Sequence, residues 1–65
     1  MKFKLYDTVK IRKDCEEGIK GGEIGAVIMV FEKPQEAYEV EVFDEKGNTK
    51  AQCTFCASDL EKFMF

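Results

Sequence analysis

Three cysteines, at positions 15, 53 and 56, are the residues whose type and spacing could do chemistry in this 65-residue chain. Cys53 and Cys56 form a Cys-x-x-Cys pair within "AQCTFCASDL" (51–60). Zinc takes deprotonated soft ligands in a tetrahedral arrangement, and such a pair offers two thiolates where the backbone turns between them. Cys15, in the polar, glycine-containing loop 13–23, would add a third. A fourth would come from Asp14, Glu16, Glu17, Asp59 or water, since the chain has no histidine. One structural zinc ion on Cys15, Cys53 and Cys56 is therefore one reading. The other makes Cys53 a small apolar core residue. Uninterrupted strand alternation would then send Cys53 and Cys56 to opposite faces. A thioredoxin-like dithiol needs a helix N-terminus to depress the thiol pKa, and this segment offers none. An odd cysteine count does not suit a secreted disulfide framework. In a reducing cytosol the thiols are expected to be free or metal-bound.

Other chemistry finds little support. Ser58 has no histidine to serve as its base, which excludes a Ser-His-Asp arrangement. The glycines at 18, 21, 22 and 25 lack the Lys-Ser/Thr and helix of a P-loop. Glu39 and Glu41 read as a solvated acidic face rather than an acid/base pair. The chain reads as non-catalytic.

The elements that would position these residues are short strands. Residues 8–11 point Val9 and Ile11 to one face, and 24–32 is apolar on both faces, as a central strand would be. Gly25 within it implies a bend or a close backbone approach. Residues 37–43 alternate, with Tyr38, Val40 and Val42 inward and Glu39 and Glu41 outward. Residues 44–48 form a hairpin loop with Gly47 free to take positive φ. Residues 49–55 alternate with Ala51, Cys53 and Phe55 inward. Residues 57–60 read as a short 3₁₀ turn and 60–65 as a last strand. The expectation is an all-β single domain over 1–65: a small five-stranded SH3-like barrel with a long first loop.

"YDTVKI", "GGEIGAVIMV", "AYEVEVFDEKGNT" and "SDL" together resemble a family of uncharacterised small bacterial proteins with an SH3-like barrel. The resemblance covers nearly the whole chain. In that family aliphatic residues usually stand where this chain has Cys53. "KGGEIGAVIMV" is also similar to the glycine-centred turn and strand of KOW domains in ribosomal and transcription proteins. These patterns speak to fold far more than to function, because barrels of this kind host unrelated roles.

Charge bounds the partners. Thirteen acidic against ten basic residues give a net charge of −3, opposite to the basic excess of a general nucleic-acid binder. No apolar run approaches the ~20 residues of a membrane span. The N-terminus has no signal-peptide pattern, so a cytoplasmic location is expected. "KLYDTV" superficially resembles the opening of signalling SH3 domains, but their proline-peptide grooves usually also use Trp, which is absent. Positive charge gathers at Lys2, Lys4, Lys10, Arg12 and Lys13. Negative charge gathers at Glu36, Glu39, Glu41, Asp44 and Glu45. Phe43, outward within the acidic stretch, resembles an apolar anchor with a charged rim.

Glu39, Glu41, Phe43 and Asp44 are therefore the candidate partner-binding residues. The expected role is docking on a protein partner, for example as an inhibitor covering a basic surface of a nucleic-acid enzyme such as a Cas nuclease. An anti-CRISPR or immunity-type protein would act in this way. The alternatives are a KOW-like RNA- or ribosome-associated module, or a zinc-stabilised interaction domain.

Overall fold

The alternation in the sequence becomes strands wherever β-branched and aromatic residues can line one buried face. The structure, a computed structural model, describes residues 2–63. It contains β1 (Thr8–Ile11), β2 (Ile24–Phe31), β3 (Ala37–Phe43) and β4 (Thr49–Cys56). A 3₁₀ turn (Ala57–Asp59) and β5 (Leu60–Lys62) complete it. No α-helix is present among the described residues, and so none is long and apolar enough to cross a membrane. The expected extension of the last strand to residue 65 lies, for 64 and 65, outside the described residues.

The strands form one antiparallel sheet in the order β4-β3-β2-β1-β5. β2 is central, as its two apolar faces require. The expected closed barrel is narrowed to this open sheet, because no ladder joins β4 to β5 among the described residues. The physical reason lies in β5. It is only three residues long and pairs with β1 from Val9↔Lys62 to Ile11↔Leu60.

One face carries the core: Phe3, Val9, Ile11, Ile19, Val27, Tyr38, Val40, Val42, Phe55 and Leu60 are all buried. Each aliphatic or aromatic side chain so buried contributes about 1.5–3 kcal/mol. Tyr38 is the largest of them, with no exposed surface. Its ring meets Phe3 edge-to-face at 5.2 Å between centroids, a geometry that suits the aromatic quadrupole. Its hydroxyl accepts the Phe3 N–H at 3.1 Å and donates to the Glu36 carboxylate. That donated bond, helped by the Lys2 N–H, holds the Glu36 carboxyl below its ordinary 4.5. Burial first, and the same carboxylate second, push the Tyr38 phenol above 10.0.

Two backbone positions shape the sheet. Gly25 faces Val42 across the β2–β3 ladder. A Cβ there would lie 2.7 Å from both the Glu41 carbonyl oxygen and Val40 Cγ1, so glycine permits the close approach. At the entrance to β1, the Tyr6 N–H donates to the Val27 carbonyl and the Val27 N–H donates to the Asp7 carbonyl. Two residues thus oppose one, a bulge whose first residue needs positive φ. Tyr6 supplies it at φ 69° while standing 78 % exposed, where glycine would be unstrained.

Candidate functional site

The cysteines are placed by two different local structures. In β4, alternation turns Ala51, Cys53 and Phe55 towards the core, and Cys53 packs against it. Cys15 opens a tight hairpin in the first long loop. Its N–H donates to the Ile19 carbonyl at 2.8 Å, the Gly18 N–H returns to its carbonyl at 3.1 Å, and Gly18 takes φ +94°. Burial of Ile19 pins that hairpin onto the sheet. The result is a Cys15–Cys53 disulfide, with Cα atoms 6.9 Å apart and a sequence separation of 38.

Two of the three thiols expected to be free or metal-bound are therefore joined to each other. Cys56 is the last residue of β4 and the N-cap of the 3₁₀ turn. β4 runs on to pair it with Ala37, so the odd spacing from Cys53 carries it to the outer face, free and exposed. The structure brings Cys15 and Cys53 together and leaves Cys56 apart. Among the described residues, no group of three or more His, Cys, Asp or Glu side chains is gathered to hold a metal ion.

The disulfide lies in the wall of an open cleft of about 400 Å³. One side is the hairpin from Lys13 to Glu17, and the other is β4 from Cys53 to Phe55, with Asp59 of the 3₁₀ turn. Four carboxylates, from Asp14, Glu16, Glu17 and Asp59, share this rim with a single lysine. Asp14 also accepts the Gly21 N–H at 2.7 Å, which fixes the base of the loop. Sequence reasoning grouped Cys15 with Cys53 and Cys56 as metal ligands but did not foresee the disulfide. Its signal would have been an inward Cys53 matched by a cysteine in the loop able to fold over it.

The candidate docking residues lie elsewhere, on the outer face. Glu39 accepts a bond from Thr54 Oγ1 at 2.5 Å and Glu41 from Gln52 Nε2 at 3.1 Å, both across the β3–β4 ladder. Phe43 is 46 % exposed at the end of the same strand. Asp44 has a local task. Its Oδ1 accepts the N–H groups of Lys46 and Asn48, both at 2.9 Å, and so shapes the hairpin loop. Sequence reasoning missed Met29, 52 % exposed and paired with Glu39 across β2–β3. A register shift between Val27 and Met29 carries it outward. The signal was the excess of apolar residues in β2 beyond what one face can bury.

The outer carboxylates are therefore held by neutral hydroxyl and amide donors, whereas Glu23 is neutralised by Lys50 in an ion pair of 2.7 Å. The Lys50 bond holds the Glu23 carboxyl below its ordinary value, with the Lys20 N–H assisting.

Comparison with curated proteins and with solved structures finds no match. A family model for a domain of unknown function, DUF4926, matches residues 5–62. That span runs from the Tyr6 turn to the end of β5, so the chain belongs to the DUF4926 family.

Proposed function

We propose that this chain is a non-catalytic, small acidic binding protein that docks on a protein partner through the outer face of β3. One observation carries the reading: Met29 and Phe43, two half-exposed apolar side chains, accompany Glu39 and Glu41 on that face. Apolar anchors with a charged rim are the usual anatomy of an energetic hot spot. The complementary partner is a basic protein surface with an apolar recess, as nucleic-acid enzymes present. An inhibitor of the anti-CRISPR or immunity type, excluding nucleic acid from such a surface, is the form this takes. The strand order, with a 3₁₀ turn before the last strand, supports reading the sheet as SH3-like.

The test is capture of a partner from host lysate, followed by binding kinetics with that partner. Phe43→Ala should speed dissociation about thirtyfold, the equivalent of ~2 kcal/mol at a hot spot. Glu39→Lys with Glu41→Lys should slow association, most at low salt. Wild-type kinetics in both variants would refute the reading. Recovery of nuclease-sensitive RNA, lost on neutralising Lys4 and Lys10, would favour the KOW-like alternative instead.

A further inference from the structure

We propose that the Cys15–Cys53 disulfide is a thiol-exchange site whose acidic cleft selects cationic over anionic thiols. Three observations on one cleft lead there. Both half-buried cysteines line a cavity open to solvent, so a small thiol can reach the sulfurs. The rim carries four carboxylates against one ammonium, so its field repels an approaching thiolate that bears further negative charge. The loop is also held without the disulfide. Ile19 is buried, Ile11 N–H donates to the Glu23 carbonyl, and Gly22 N–H donates to the Ile11 carbonyl. Exchange therefore unlocks the tip of the loop without dismantling the sheet.

The chemistry balances with a low-molecular-weight thiol as reductant. A thiolate attacks Sγ of one cysteine, a mixed disulfide forms, and the other Sγ leaves as a thiolate that takes a proton. A second thiol attacks the mixed disulfide, releasing the oxidised small disulfide and the second protein thiol. The protein gains two electrons and two protons, and two small thiols are oxidised to one disulfide.

The experiment compares cysteamine, 2-mercaptoethanol and 2-mercaptoethanesulfonate on the intact protein, with rates corrected for thiolate fraction and nucleophilicity. Mass spectrometry of alkylated peptides reads the Cys15–Cys53 bond. Cysteamine should outpace the sulfonate about tenfold at low ionic strength, with the neutral thiol between. The ratio should relax towards unity in about 1 M salt and in a Glu16→Gln, Glu17→Gln variant, whose exposed substitutions leave the fold intact. Equal corrected rates for the three thiols would overturn the proposal. So would three free thiols in air-equilibrated protein.

Discussion

The two faces of β3 are built from neighbouring residues and held by opposite means. Tyr38, Val40 and Val42 are fully enclosed, and nothing about them is adjustable without cost to the fold. Glu39, Glu41 and Phe43 alternate with them on the outer face, where Glu39 and Glu41 accept bonds from Thr54 and Gln52, Met29 lies opposite Glu39, and Phe43 is half exposed. The residues that build the core and those of the proposed docking face are thereby interleaved one residue apart. A period-2 backbone lets each be changed with little effect on the other.

The sharpest way to break this contrast is truncation on each face. Tyr38→Ala should cost about 3–5 kcal/mol, the range for removing a large buried aromatic. Phe43→Ala should cost about 1 kcal/mol or less, because half of its surface is already in water. Urea denaturation of both variants checks this, and comparable losses would erase the division of labour. An intermediate effect is expected at Gly25. Gly25→Ala forces a methyl to within 2.7 Å of the Glu41 carbonyl and Val40. A loss of about 1–3 kcal/mol is expected for such overpacking. A thermal midpoint unchanged by that substitution would show that β2 and β3 can part freely.

The smallest effect is a pH dependence at the rim of the core. The Glu36 carboxyl is depressed by the Tyr38 hydroxyl, so its contribution is fully present above the ordinary value of 4.5. It is lost as pH falls through the lower folded-state value. The Tyr38 phenol is raised above 10.0, so its contribution holds below that value and fades as pH rises through the folded one. Tyr38→Phe should flatten both limbs of the stability profile while keeping the ring packed. An unchanged acid limb in that variant would assign it to other carboxylates, such as Glu23.

How much of this was legible follows from the range of each interaction. The inward triplet of β3 and the inward Cys53 could be read because alternation is local. Gly25 could be read because a glycine inside an apolar strand implies a near neighbour. The fate of Cys56 was readable only as one of two alternatives, since pairing with Ala37, which carries β4 one residue past the expected strand end, decides between them. The disulfide depends on a loop folding across a separation of 38 residues, which no short window contains. Met29 reached the outer face through a register shift, and a shift overrides the alternation from which faces are inferred. Tyr6 gave no warning either, because a positive φ is ordinarily announced by glycine or asparagine.

The disulfide also changes what kind of object the chain is. From Cys15 to Cys53 the backbone and the S–S bond form a covalent ring that threads all of β2 and β3 and the first half of β4. β1 and β5 hang from its two ends and pair only after the ring is traversed. In a linear polymer, one cut makes two molecules. Here a single hydrolysed peptide anywhere in the ring, at the 33–36 turn or the 44–48 hairpin for instance, leaves one molecule heavier by a water. The pieces can separate only once a reductant is added, so the ring confers tolerance to nicking on the strands of the proposed docking face.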